Sequence, residues 1–283
     1  MMKRIYILLF LCSGFGLSAQ QTISSQFLYL SDVNPSFISE NKQTTYSIFS
    51  KKIQGINESP TTEIIGYSNV INESTIIGCS FHNTSYGISS VGGLKVNYAH
   101  IINFSNFQIS LGIQGEARRY MVDESLFILD DPNDNAISGV LEKRILSEAA
   151  TSLYFKSNKF DFGISVFNLM NSKAKLESFV SDDKKKINFN ITANYHLYIT
   201  ENIKLNPSIF LMKEGEQNLS AYLMILSTIN NNLKIGAFYT KNIGVIAGVK
   251  SGNLNLNYSH SFPSSEISSY SVGSDEISIS IDF

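Results

Sequence analysis

The chain has 283 residues, of which 43% are hydrophobic and only 16% charged, with no Trp, two Cys and a formal net charge of −2. Soluble domains carry roughly 25% charged residues, so Ser, Asn, Thr and Tyr must cover surface that Lys and Glu usually cover, which disfavours an ordinary soluble enzyme. A pI near 6.1 leaves no global basic field and removes the electrostatic basis for a dedicated nucleic-acid binder.

The first residues stand apart from the rest. Lys3 and Arg4 precede an apolar run from Ile5 to Leu11, and Leu17-Ser18-Ala19 supplies small residues before Gln20, the pattern of a secretory signal peptide over 1–19. Cys12 follows Leu11, whereas a lipid-attachment cysteine follows a small residue, so lipidation is not expected. Removal of the signal leaves Cys79 alone, without a partner for an intrachain disulfide. Residues 20–42 lack strand alternation and read as a lead-in or a segment plugging a lumen. Composition from there on is uniform, with no linker, and 43–283 reads as one domain.

Within that domain the period is two. From Ile187 to Ile199 the odd positions are apolar and the even ones mostly polar, and the same holds for Phe107 to Gln114 and for Asn253 to Ser259. Strict alternation means strands with one apolar and one polar face. A spanning helix needs about 20 mostly apolar residues, and the longest runs after the signal, Ala221 to Leu226 and Ile243 to Val249, are far shorter.

In chain order the strands are predicted at 43–53, 60–71, 74–82, 91–102, 106–118, 144–156, 159–168, 186–200, 202–213, 218–230, 232–241, 243–250, 253–262 and 274–283. The even number and the length favour an all-β transmembrane barrel of the outer membrane, about 14 antiparallel strands, over a sandwich. Tight turns near Asn103 to Ser105, Ser157-Asn158, Glu201, Asn231 and Ser251-Gly252 alternate with generally longer connections at 119–143, 169–185, 214–217 and 263–273, as the two ends of such a barrel require. The last strand alternates Ile277, Ile279, Ile281 and Phe283 with Ser278, Ser280 and Asp282, placing an aromatic on the lipid-facing row. Low charge then has a cause, because Lys or Arg at the bilayer midplane costs about 2–4 kcal/mol.

Candidate chemistry is sparse. Parity puts His100 and His260 on lipid-facing rows and His82 and His196 in the lumen at opposite heights, with no Asp-His or Ser-His-Asp constellation expected at one rim. In Asp130-Asp131-Pro132-Asn133-Asp134-Asn135, oxygen ligands at Asp131, Asn133, Asn135 and Glu142 follow the spacing of a calcium loop. Ala136 replaces its Gly, however, and the flanks are strands. The stretch reads as a solvated loop, as does Asp182-Asp183-Lys184-Lys185-Lys186, and both are candidate partner-facing surfaces. Glu116 and Arg118 point into the lumen, to pair with each other or to touch a partner. Gly78, Gly112, Gly163 and Gly236 read as strand residues that ease curvature. Phosphate-loop and metal-ligand spacings are absent, and no cofactor is expected.

Several short motifs in order resemble the PorP/SprF family of type IX secretion system membrane proteins of Bacteroidetes. Gln26-Phe27-Leu28-Tyr29-Leu30 with Asn34-Pro35-Ser36-Phe37 is similar to that family's opening, with Ser36 where the family has Ala. Leu111-Gly112-Ile113-Gln114 to Tyr120 and Asp130-Asp131-Pro132, Phe162-Gly163-Ile164-Ser165 with Asn168-Leu169, and Leu205-Asn206-Pro207-Ser208 follow. The close Gly273-Ser274-Asp275-Glu276-Ile277, ending at Phe283, carries Asp275 where the family has His. The resemblance implies a non-enzymatic outer-membrane barrel. Its expected role is to assist secretion and surface anchoring of an adhesin or other cargo through the cargo's type IX C-terminal domain, alongside other secretion components, as in gliding. The alternative from another class is a general porin or small-solute transporter.

Overall fold

Alternation puts apolar and polar residues on opposite faces of every strand, and a sheet with one apolar face in lipid has to close so that no edge is left unpaired. The computed structural model, which describes residues 27–51, 59–126, 141–170, 172, 186–240, 242–263 and 271–283, is such a closed antiparallel sheet. Its strands are β1 (Gln43–Lys51), β2 (Thr61–Asn72), β3 (Thr75–Tyr86), β4 (Ser89–Asn103), β5 (Phe107–Asp123), β6 (Leu141–Ser157), β7 (Phe160–Phe167), β8 (Asn188–Tyr195), β9 (Leu197–Thr200), β10 (Ile203–Glu214), β11 (Ser220–Ile229), β12 (Leu233–Tyr239), β13 (Ile243–Ser251), β14 (Leu254–Ser261) and β15 (Ser274–Asp282). β8 and β9 lie end to end along β10, so the barrel has the fourteen staves that the alternation predicts. β1 closes it against β15, with Thr44 opposite Asp282 and Lys51 opposite Asp275.

Three boundaries differ from the sequence expectation. The stave predicted as unbroken over 186–200 is interrupted at His196, across from Asn206 and Pro207 of β10. Pro207 has no N–H to give a ladder, which weakens pairing at that rung. Residues 83–90, expected as a loop, are a hairpin that continues to Tyr86 and Ser89, with Gly87 at φ +54 in its turn. The β5–β6 hairpin is also longer than expected, pairing as far as Asp123 with Leu141.

On most staves the faces separate by exposure, β9 and β10 excepted. On β5 the outward Leu111 and Ile113 are 52% and 62% exposed, whereas the inward Ser110 and Gln114 are 0% and 6% exposed. A belt of stacked rings, Phe104 on Phe107, Phe107 on Phe155 and Phe155 on Phe160, crosses three staves at the short-turn end. From Phe107 the outward row of β5 runs through Ile109, Leu111 and Ile113 to Ala117. Ten residues at about 3.3 Å each, tilted about 40°, span about 25 Å, the height of an outer-membrane apolar band. Asn230 and Asn231, both with positive φ (+49 and +59), make the tight turn after β11, as Asn does in hairpins.

Candidate functional site

The inward rows do not enclose an empty bore. Residues 27–42, which precede β1, sit against inward-facing side chains contributed from all around the barrel. The segment is compact for local reasons. Leu30–Asp32 form a 3-10 turn, and the Asn34 amide oxygen accepts from Ser36 N at 2.9 Å and Ser36 Oγ at 2.7 Å, an Asx turn with Pro35 fixed at its centre.

Its apolar side chains meet four separate patches of wall. Tyr29 packs with Tyr46, Ile48 and Ile64, its ring stacked on Tyr46 at 4.6 Å. Leu30 and Val33 join Phe210 and Tyr222, and Ile38 joins Ile76, Ala99, Ile101 and Tyr154, where Phe37 adds an edge-on ring contact at 5.2 Å. Phe27 and Leu28 lie against Met224, Phe238 and Ile246. Burying several such side chains at about 1.5–3 kcal/mol each is what holds a segment this short.

Polar contacts fix its register. Lys95 Nζ reaches Asp32 Oδ1 at 3.0 Å and Ser80 Oγ donates to the same oxygen at 3.3 Å. Asn97 donates to Pro35 O, Asn34 to Leu153 O, and Lys156 to Ile38 O at 2.9 Å. Tyr29 Oη donates to Ser278 Oγ at 3.3 Å, and Lys204 pairs with Glu40 at 3.2 Å. Burial alone would raise the Asp32 carboxyl, but the Lys95 ammonium beside it, with His82 and the Ser80 hydroxyl, holds it below the usual carboxylate value. Two wall glycines make room. A Cβ at Gly112 would lie 2.8 Å from Ser36 N, and one at Gly163 would lie 2.5 Å from Asn34 Nδ2. These two glycines therefore serve close approach of the inner segment.

Towards the long-loop end, Glu116 accepts two 2.6 Å hydrogen bonds from Arg118, and His82 Nε2 lies 3.5 Å from the same carboxylate. The two sequence candidates thus pair with each other in the lumen. At the short-turn end a cavity of about 400 Å3 is lined by Lys156, Asp161, His196, Lys204, Lys234 and Lys250, among others. Against the expectation of no Asp-His constellation at one rim, His196 Nε2 lies 2.9 Å from Asp161 Oδ2 at this end. Both lie on inward rows of adjacent staves, since Asp161 is opposite Asn194, two residues before His196. The His196 Nδ1 faces the Asn206 amide at 3.3 Å, so the consistent tautomer accepts from Asn206 and donates to Asp161. Both ring nitrogens are engaged within the wall.

Of the motif positions, Tyr29, Asn34 and Pro35 are anchors of the inner segment. Gly273, at φ +128, lies so close to Ser261 O that a Cβ would be 2.1 Å away, and Glu276 is buried on the inward row. Phe283 N donates to Gln43 O beside the closing strands. Gln26, Asp130, Asp131, Lys184 and Lys185 lie outside the described residues. Sequence reading missed Asp32, Lys95, Lys156 and Lys204. Their signal was parity: Lys95, Lys156 and Lys204 all fall on inward rows, where an unpaired cation would need a partner from within.

Comparison with solved structures returns outer-membrane barrels. The TodX deltaS2S3 mutant monoaromatic hydrocarbon channel is 10% identical, over 96% of this chain and 98% of that one, with a TM-score of 0.53. The Acinetobacter baumannii outer membrane protein Omp33 is 8% identical (86% and 98%; TM-score 0.49). The Pseudomonas putida toluene transporter TodX is 9% identical (93% of each chain; TM-score 0.47). At 10% identity the likeness to the TodX variant speaks for the fold alone. No curated protein matches the sequence. The family model described as type IX secretion system membrane protein PorP/SprF matches residues 17–281, and the chain belongs to that family.

Proposed function

We propose that this PorP/SprF-family barrel is a non-enzymatic outer-membrane accessory of type IX secretion. In this reading it is delivered by cleavage of a signal peptide after Ala19, assists export of a partner adhesin or other surface protein, and holds it at the cell surface through the partner's C-terminal domain. The observation that carries the reading is the occupied lumen. A bore filled by residues 27–42, stapled to the wall through Lys95, Asn97, Lys156 and Lys204, is poorly suited to passing solute and leaves the rims as working surfaces. The long-loop rim, with the Glu116–Arg118 pair beneath it, is the surface offered to the cargo, and Asp130, Asp131, Lys184 and Lys185, in the chain between β5 and β6 and between β7 and β8, are the residues offered for that contact.

Deleting the gene should leave at least one surface adhesin unsecreted or released into the medium, with recovery on complementation. If every adhesin remains secreted and attached, the reading fails. Planar-bilayer recording separates it from the porin or solute-transporter reading: a closed barrel is expected, and a stable open channel favours the transporter.

A further inference from the structure

Cations on the two faces of this barrel are treated differently. On the inward face, Lys95 is paired with Asp32, Arg118 with Glu116, Lys204 with Glu40 and Lys250 with Asp282. On the outward face of the β5–β6 hairpin stand Arg119 and Lys143, both exposed and, among the described residues, without an anionic partner. They are neighbours. Arg119 is opposite Ile145 and Met121 is opposite Lys143, so the two cations sit diagonally across adjacent strands at about 7 Å.

Their level is fixed by the strands they stand on. Arg119 lies twelve residues along β5 from Phe107, and Lys143 lies twelve along β6 from Phe155, the two rings that stack in the belt at the opposite interface. Twelve residues at about 3.3 Å, tilted about 40°, rise about 30 Å. That places both charges just above an apolar band of about 25 Å, at the depth of lipid headgroups. Below them the outward rows are mainly apolar, with Ala117, Gly115 and Ile113 on β5 and Ile145, which is 73% exposed, and Ala149 on β6, Ser147 being the one polar side chain among them.

We infer that Arg119 and Lys143 form a binding site for the phosphate headgroup of a membrane lipid on the outer wall of the barrel, with its acyl chains lying on Ile145, Ala117 and Ile113. The guanidinium offers a planar fork that matches two phosphate oxygens, and the ammonium a compact point charge. Apolar surface immediately beneath the pair selects a lipid over a free anion. The site also sets the depth of the β5–β6 hairpin in the membrane, next to the rim assigned above to the partner.

The test uses the full chain in phosphatidylcholine nanodiscs doped with spin-labelled phosphatidic acid, reading the preference of the protein-bound lipid population for phosphatidic acid over labelled phosphatidylcholine. The wild type should prefer phosphatidic acid by roughly tenfold, the scale of one or two hydrogen bonds to a charged group. Arg119→Gln with Lys143→Gln should bring the preference close to one, while Lys159→Gln, in the short turn at the other end, should keep it. Retention of the preference in the double variant overturns the inference, and so does displacement of the lipid by inorganic phosphate, which would mark a site for soluble anions. Should the double variant fail to insert, the wild type still decides: the preference should fall steeply with salt, and a salt-insensitive preference overturns the assignment.

Discussion

The inner and outer faces of this barrel are built from the same strands, one residue apart, yet they are held by different physics. Outside, Leu111, Ile113 and Leu153 are exposed by about half and meet lipid, a partner without shape or hydrogen-bonding demands. Inside, Ser110, Gly112 and Ser152 on the neighbouring positions are buried, and Gly112 meets a single folded segment with its own register. The difference teaches that substitution should be judged by face before residue type. Outward positions should tolerate any apolar side chain and reject charge, whereas inward positions should reject volume and the loss of one specific partner. Because the chain has no Trp, a Phe27→Trp background gives a single fluorescent reporter on the inner segment.

Added volume should have the largest effect. Gly163→Leu places its Cβ 2.5 Å from Asn34 Nδ2 and close to Thr192 and Tyr154 as well; the last two cannot yield without moving the wall, so Asn34 must. The segment should be expelled, with a red-shifted reporter and channel activity where the parent is closed. The outward equivalent, Gly115→Leu, has open space around its Cβ and should leave both readouts unchanged. If both variants behave alike, the contrast between faces is wrong.

Next comes the loss of a charge partner. Lys95→Met leaves Asp32 buried and uncompensated, and breaking a buried pair costs about 3–5 kcal/mol, which should appear as reduced denaturant resistance of the reporter signal. The same pair sets the pH response. The Asp32 carboxyl titrates below its ordinary value in the docked state, so its contribution is complete above that ordinary value and is lost as pH falls through the depressed one. Docking should therefore be flat from neutrality down to about pH 5 and weaken only in stronger acid. Release between pH 7 and 5 would point to a histidine instead.

Much of this architecture is legible in the sequence because its period is carried by residue types. Stave number, the aromatic close and the low charge all follow from one apolar face per strand. The break at His196 is not legible, since alternation continues through it and only Pro207, on another strand, disturbs the ladder. The inner segment is harder still. Tyr29, Asn34 and Pro35 stand out as motif residues, but their partners Ser278, Leu153 and Asn97 are 60 to 250 residues away, and nothing local encodes that distance. Glu116 and Arg118 could be paired because they are two apart on one strand. Asp161 and His196 could not, because their meeting depends on the register between neighbouring staves.

On the outer face, charge should matter as volume does inside. Ile113 is 62% exposed near the middle of the apolar row, so Ile113→Arg should destabilise the inserted barrel by about 2–4 kcal/mol, and Ile113→Leu by almost nothing. Folding titrations into vesicles measure both. A small penalty for Arg would mean that this row faces a polar partner instead of lipid.

The smallest expected effect tests the contrast most finely, because the same deletion of one oxygen is made on each face. Tyr29 Oη donates to Ser278 at 3.3 Å and accepts from Asn257 at 3.4 Å, both long bonds, while its ring stays stacked on Tyr46. Tyr29→Phe keeps the ring and should cost no more than about 1 kcal/mol, read as a modest weakening of reporter docking. Asn257 and Ser278 still bond each other at 3.2 Å, so neither is left without a partner. On the outer face Tyr98 is 46% exposed, and Tyr98→Phe should leave docking unchanged. A difference of about 1 kcal/mol between two chemically identical substitutions would locate the specificity of this barrel in its lumen. Equal effects would mean that Tyr29 is held by its ring packing and that its hydroxyl contributes nothing to docking.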